Sequence, residues 1–381
     1  MTTTKILDNQ FKLVKFIGQG RFSMVFEVIS TSEIDKDKPY VLKRFYLQNP
    51  KAVKCALREQ RILRRISMAD LQQPFLETLF YSFCRSEMPA LVLSRASGID
   101  LCDILQYFFP LGVEDALFYT TEIICGLGYL HALKIVHLDI KAENMLLTST
   151  GHVMICDFDC AYDLTYSREP PKSEDYKGTA QFMAPEIANK TVISLAADIW
   201  NMGITTARMF SSYIRPNREP GESKFDQVRR GSWKLEKFES MPEPLKYFFC
   251  ECFRTKPTER PTIEEIKNFR LFKNVSWETS ALLSRQPPYL PSQLHPLMEK
   301  EKYPFSPWDE NILRTVLWKT KPSMEPGDVY KEECFEISRF NTIPRDTELL
   351  EEAGMTPEKI HDLFANFDFI NENAIQNTNS D

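Results

Sequence analysis

The stretch from His137 to Asn144, HLDIKAEN, places an acid, a lysine and a carboxamide within a few residues of one another. Asp139 can accept a proton from a hydroxyl. Asn144 offers a hard amide oxygen to a divalent cation. Asp157, in Asp157-Phe158-Asp159, follows 13 residues after Asn144 at the end of an apolar run, where a carboxylate can chelate Mg2+. Upstream lies the small-residue turn Gly18-Gln19-Gly20-Arg21-Phe22-Ser23, whose backbone N–H groups can close over phosphates. Lys43 in YVLK and Glu59 in EQRIL add a cation and an acid able to hold it. Singly, these read as an ordinary hairpin, surface charges and solvated loop acids. In this order they supply what phosphoryl transfer needs, which is positioning and charge neutralisation more than a covalent nucleophile.

Such residues need elements to hold them. Phe11 to Phe26 reads as two short strands around the glycine turn, followed by a third near Tyr40 to Phe45. Ala52 to Ile66 has helical spacing, and strand-like runs recur at Thr78 to Cys84 and Pro89 to Leu93. After Ser97-Gly98 helical patterns dominate: Leu101 to Leu133, Ser194 to Phe210, Leu245 to Phe253, and a short helix from Thr262 opened by Pro261. Short strands at Asn144 to Leu147 and His152 to Cys156 carry the two oxygen ligands. The change from mostly β to mostly α falls near residues 94–98. Beyond residue 273, QPPYLP, YPFSPW and KPSMEP suggest extended segments, and Asn371 to Asp381 reads as disordered.

Further motifs extend the series. Gly178 to Glu186, GTAQFMAPE, precedes Asp198-Ile199-Trp200 with Gly203, and Arg260 in ERPT suits Glu186 as an ion-pair partner. From Gly18 to Arg260 the motifs resemble, in type and order, the eukaryotic protein kinases, and Lys141 with Thr179 points to the serine/threonine class. The tail is similar to that of the AGC group: FKNVSW at 272–277, PPY at 287–289, and Phe364-Ala365-Asn366-Phe367-Asp368-Phe369 in place of the group's hydrophobic motif.

This resemblance implies an α+β, bilobal kinase fold: an N-terminal extension (1–10), a β-rich N-lobe (11–94), a helical C-lobe (95–272) and a tail (273–381) whose motif at 364–369 docks on the small lobe. It implies ATP and Mg2+ as cofactors, with Gly18, Gly20 and Ser23 at the phosphates. Val25, Val41 and Leu146 would wall the adenine beside the hinge Ser94-Arg95-Ala96, with Leu93 guarding the back and Ile17 also at the nucleotide. Lys43 would bind the α- and β-phosphates, steadied by Glu59; Asp139 would act as base beside Lys141, and Asn144 and Asp157 as metal ligands. Asp100, Glu143 and Thr179 fall where such kinases bind a protein substrate with basic residues upstream of its Ser/Thr acceptor.

Several positions depart from the pattern. Leu138 replaces the arginine that normally pairs with an activation-loop phosphate. Asp175 and Asp368 stand where relatives carry phosphorylatable residues, so fixed carboxylates are expected to replace regulated phosphates at these regulatory sites. Ser173, Tyr176 and Thr356 remain as possible phosphosites. Arg208 reverses the charge of another substrate-binding acid. Asp159 replaces a glycine whose turn favours positive φ, and it adds a carboxylate beside the nucleotide phosphates. That replacement supports a rival reading, a pseudokinase or nucleotide-binding scaffold, against which stand the retained Lys43, Glu59, Asp139, Asn144 and Asp157.

The 381-residue chain carries a net charge of −6, which argues against a nucleic-acid partner. It has no run of apolar residues long enough to span a bilayer and no secretory leader, so no membrane anchor is expected. Its nine scattered cysteines, without a C-x-x-C pair, suit buried thiols in a reducing, intracellular compartment, cytoplasmic or nuclear. Regulatory protein partners are an open expectation.

Overall fold

The computed structural model describes residues 10–69, 73–85, 88–166, 170–210, 214–216, 221, 223–231, 233–235, 238–301 and 346–377. The expected class holds: α+β, with a β-rich small lobe and a helical larger one. The chain divides into two compact units, Met1–Gln72 with Thr78–Arg95 and His295–Asp381, and Gln73–Glu77 with Ala96–Leu294. YPFSPW and KPSMEP lie outside the described residues.

In the first unit, β1 (Phe11–Gln19), β2 (Ser23–Ser30), β3 (Pro39–Phe45), β4 (Leu79–Arg85) and β5 (Met88–Leu93) form an antiparallel sheet in the order β1-β2-β3-β5-β4. Period-two alternation in β3 sends Tyr40, Leu42 and Arg44 to a buried face, while Val41 and Lys43 on the other face are half-buried. Helix α1 (Pro50–Ser67) starts at Asn49, whose side chain accepts from the N–H groups of Lys51 and Ala52, with Pro50 in the first turn where its missing N–H costs nothing. Its buried stripe runs Ala52, Ala56, Glu59, Ile62, Leu63, Ile66, so Glu59 is the one acid in an otherwise apolar seam.

The end of the chain departs from expectation. Of the stretch Asn371 to Asp381, residues 371–377 are ordered and 378–381 lie outside the described residues; the described tail is built mostly of short helices. Phe369–Ile370 adds a sixth strand, pairing antiparallel with Ser82 and Tyr81 of β4. Asn371 then donates from its backbone to Phe80 O (2.8 Å) and from its amide to Leu79 O (3.1 Å), and its Oδ1 caps Ala374 N (3.1 Å). This opens the terminal helix, Glu372–Asn377. Composition misleads here because NENAIQN is mostly polar, yet its two central apolar residues, Ala374 and Ile375, are each 1% exposed within the cluster of Phe11, Tyr40, Leu42, Tyr81 and Phe83. Ile375→Ala is expected to cost roughly 2–4 kcal/mol through transfer and cavity terms, read by urea unfolding.

The second unit comprises α2 (Leu101–Phe108), α3 (Val113–Ala132), β6 (Ile135–Val136), β7 (Met145–Leu147), β8 (Val153–Ile155), β9 (Tyr162–Asp163), α4 (Pro185–Ala188), α5 (Ala196–Phe210) and shorter helices after it. Two ribbons, β6 with β9 and β7 with β8, sit among the helices. The helix at Ile263–Lys267 begins at Thr262, which forms a capping box with Glu265, so Pro261 precedes the cap and is not the first helical residue. The first part of the tail packs on this unit: Leu282 is buried against Phe75 and Cys125, and Arg285 donates to Thr121 Oγ1 (2.7 Å) with its guanidinium 4.2 Å from the Phe118 ring centre. The Tyr289 hydroxyl donates to Asp115 (3.2 Å).

Candidate active site

In the first unit, Lys43 Nζ lies 2.7 Å from Glu59 Oε1, with the Glu59 side chain fully buried. Strand β3 presents the lysine and the buried seam of α1 presents the acid, as the spacing predicts. A buried carboxylate needs a cation, so this pair fixes Lys43 where it stands. Between β1 and β2, Gly20 N donates to Ser23 O (2.8 Å), and a Cβ at Gly20 would come within 3.0 Å of Ser23 Oγ. Ser23 is 5% exposed and closes the turn from within. Ile17 and Gly20 are exposed, whereas Gly18, Val25 and Val41 are half-buried. Val41 registers with Leu93, and Ser94 exchanges backbone N–H and Oγ hydrogen bonds with Thr78, so its N–H is already committed.

The tail motif grips the same unit. Phe364 and Phe367 are buried, Phe369 is half-buried beneath Arg64, whose guanidinium lies 5.3 Å from its ring centre, and the Phe367 carbonyl accepts from Gln60 Nε2 of α1 (3.1 Å) and Ser82 Oγ (2.5 Å). Asp368 Oδ1 accepts the Cys84 N–H (3.3 Å). Through Gln60 and Arg64 these contacts reach the helix that carries Glu59.

In the second unit the loop at residues 137–144 is held by side chains of α5. Asp198, fully buried, accepts the N–H groups of His137 and Leu138 (both 2.8 Å) and faces His131 (3.1 Å). Thr205 Oγ1 donates to Ile140 O (3.0 Å), and Asn201 donates to Phe182 O (2.7 Å). The sequence reading found Asp198 but missed Asn201 and Thr205. The signal was present: polar residues at 198, 201 and 205 recur at helical spacing on one face of an apolar helix.

His137 Nε2 meets Cys156 O (3.0 Å), while its Nδ1 accepts the Asp139 N–H (3.3 Å), which fixes the proton on Nε2 because a carbonyl only accepts. Asp139, 4% exposed, takes the Thr179 N–H on Oδ1 (2.7 Å) and Lys141 Nζ on Oδ2 (2.8 Å). Lys141 also donates to Thr179 Oγ1 (2.9 Å). Burial works against the Lys141 charge, but the hydrogen bond and charge of Asp139, with Glu143 and Asp157, more than offset it and raise the ammonium above the ordinary lysine value. The Asn144 amide donates to the Asp139 carbonyl (2.8 Å) and Oδ2 (3.3 Å), leaving its Oδ1 as the end able to bind a cation. Asn144 leads into β7 and Asp157 follows β8. Antiparallel pairing of Met145 with Ile155, and the Cys156 N–H on Asn144 O (3.0 Å), bring Asn144 and Asp157 to one end of the ribbon.

Two residues here have left-handed backbones, Leu138 (φ 66°) and Asp157 (φ 64°). Asp159 is not among the positive-φ residues, so the strain expected from aspartate in a glycine place does not arise. The acid remains half-buried and raises the thiol of Cys160, after the larger effect of that thiol's own burial.

The substrate candidates lie in this unit as well. Asp100 caps α2, its Oδ1 accepting the Asp103 N–H (2.8 Å), a structural duty the sequence reading did not foresee. Burial, with the like charges of Asp103 and Glu143, pushes its carboxyl up to about 6 against the backbone hydrogen bonds that favour its charge. Glu143 is exposed on the turn Ala142–Asn144, and Leu146 bridges to Asp100. The Arg208 guanidinium lies 4.9 Å from the ring centre of the buried Phe182. Ala96 is half-buried, and Asp175 accepts the Lys172 N–H (2.8 Å) within its own turn. Glu186 and Arg260 form the expected pair, bidentate at 2.6 and 2.7 Å.

The family described as "Protein kinase domain" matches residues 11–272. Curated relatives include the putative ribosomal protein S6 kinase alpha-1 of Caenorhabditis elegans, 28% identical across 74% of this chain and 36% of its own length. Human ribosomal protein S6 kinase alpha-6 is 27% identical across 75% of this chain and 38% of its own length. Human ribosomal protein S6 kinase alpha-1 is likewise 27% identical, over 76% and 39%. The chain thus spans under two-fifths of the length of these relatives. No helix among the described residues is long and apolar enough to cross a membrane. The motifs, the geometry that seats Asp139 between Lys141 and Thr179, and a match running from β1 to Phe272 lead to one assignment: this chain belongs to the protein kinase family.

Proposed function

We propose that the chain is a serine/threonine kinase of AGC type that moves the γ-phosphate of ATP to Ser or Thr of protein substrates. The carrying observation is the triangle of Asp139, Lys141 and Thr179, all joined at 2.7–2.9 Å. In this reading the acceptor hydroxyl gives its proton to the Asp139 carboxylate as its oxygen attacks the γ-phosphorus, and the bond to the β-phosphate oxygen breaks to leave ADP. Lys141 balances charge at the acceptor oxygen. Lys43, held by Glu59, binds the α- and β-phosphates under the Gly18–Ser23 turn. For the adenine, the first unit offers Ile17, Val25, Val41, Leu93 and Ser94, and the second offers Ala96 and Leu146. The Asn144 and Asp157 oxygens fit Mg2+, a hard cation, and would hold it; when bound it neutralises phosphate charge. A Mg2+-ATP transfer assay on basic peptides tests the reading, and nucleotide binding without any transfer would favour the scaffold alternative that Asp159 raises.

Asp100 and Glu143 support selection of an arginine three residues before the acceptor, and Arg208 disfavours one at two residues before it. On a peptide array, arginine is expected to help at the first position and not at the second, with Arg208→Glu restoring the second. Asp100 adds a pH dependence: as pH falls through about 6 its carboxylate is neutralised, so KM for the arginine peptide should rise there. Equal tolerance at both positions would contradict this assignment. The docked motif of Phe364, Phe367, Asp368 and Phe369, and Asp175 in the activation segment, support activity that does not wait for phosphorylation.

A further inference from the structure

We infer that Leu138 and Tyr176 are positioning residues that hold the activation segment on the catalytic loop by apolar packing, where an ion pair to a phosphate would otherwise do so. The inference rests on the kinase reading for its consequence, but not for its geometry.

Leu138 is 2% exposed and belongs to a buried cluster with Val136, Phe182, Met183 and Ile187, against which Tyr162 and Tyr176 pack. Its backbone is left-handed, a conformation that leucine rarely takes. The turn is held by Asp198, which takes the Leu138 N–H at 2.8 Å. An apolar side chain fixed at this point cannot form a salt bridge with any anion on the segment. Two residues beyond Tyr176 the segment crosses the loop at touching distance: Gly178 has φ 131°, and a Cβ there would lie 2.6 Å from Leu138 O. The next residue, Thr179, delivers its N–H to Asp139. Tyr176 therefore anchors the segment immediately before the point where it sets the catalytic carboxylate. Asp175 places Oδ2 on the Lys172 N–H, within its own turn.

Two consequences separate this latch from an electrostatic one. Apolar packing is insensitive to salt, whereas an exposed ion pair weakens as salt is added. A phosphate on Tyr176 would carry charge into the cluster and release the segment, so modification there switches activity off.

The test is hydrogen–deuterium exchange over residues 177–183 in the full chain, paired with kcat/KM on a basic peptide. Tyr176→Ala is expected to speed exchange about tenfold and to lower kcat/KM about tenfold. Tyr176→Phe, which keeps the ring, should restore both. Leu138→Ala should repeat the Tyr176→Ala pattern. Phosphatase treatment of the wild type and 1 M salt should leave exchange unchanged. Unaltered exchange in Tyr176→Ala, or acceleration by phosphatase alone, overturns the latch. Exchange needs neither ATP nor turnover, so a chain that transfers no phosphate but still shows the exchange pattern refutes the kinase reading and leaves the latch standing.

Discussion

Asp139→Asn is expected to lower kcat by roughly 10²–10⁴-fold while ATP affinity changes little, measured by single-turnover transfer and by nucleotide titration. Asparagine keeps the shape, and its amide oxygen can still take the Thr179 N–H now on Oδ1. What it loses is basicity and the negative charge opposite Lys141, now 2.8 Å away. The acceptor proton then has no carboxylate to reach, and Lys141 loses the anion that sustains its ammonium. Because Asp139 is 4% exposed, water is a poor substitute for either role. Equal rates for the two proteins would instead mean that any observed transfer comes from elsewhere, and the scaffold reading would stand.

The second large effect is on stability. Arg260 makes two hydrogen bonds to Glu186, at 2.6 and 2.7 Å, and others to the carbonyls of Arg254 (2.8 Å) and Ala196 (2.8 Å), with its guanidinium 4.9 Å from the Trp200 ring centre. Both partners are buried. Arg260→Ala strands the Glu186 carboxylate and the carbonyls of Arg254, Ala196 and Thr255, so a loss of about 3–5 kcal/mol is expected. For a domain of this size that lowers Tm by on the order of 10 °C. Arg260→Met with Glu186→Leu should recover most of the loss, since removing both charges removes the stranded one. A drop below about 1 kcal/mol for Arg260→Ala would show that the pair carries no such penalty.

Much of this geometry was legible in the sequence because an acid, a lysine and a carboxamide at the spacing of Asp139, Lys141 and Asn144 form a recognisable pattern, and the structure joins them by hydrogen bonds. Lys43 and Glu59, paired in sequence by their positions in the resemblance, lie 2.7 Å apart. Backbone conformation was not legible, since it leaves no mark on residue type unless glycine carries it. Leu138 and Asp157 turn left-handed without glycine, and Asp159 does not. Asp100 was read for its charge alone, while its position at a helix start gives the same carboxylate a capping task. The ordered chain end escaped because two apolar residues weigh little in composition but fill a specific hole in a sheet face.

That ordered end also decides what the sheet shows to other molecules. Along the outer side of β4, the Phe80 carbonyl is taken by Asn371, Ser82 and Tyr81 face Phe369 and Ile370, and the Cys84 N–H is taken by Asp368. Proteolytic trimming before Asp368 would bare this row of donors and acceptors and turn a sealed margin into a template for strand addition by a second chain. Residues 368–371 thus cover one edge of the sheet as well as packing on it.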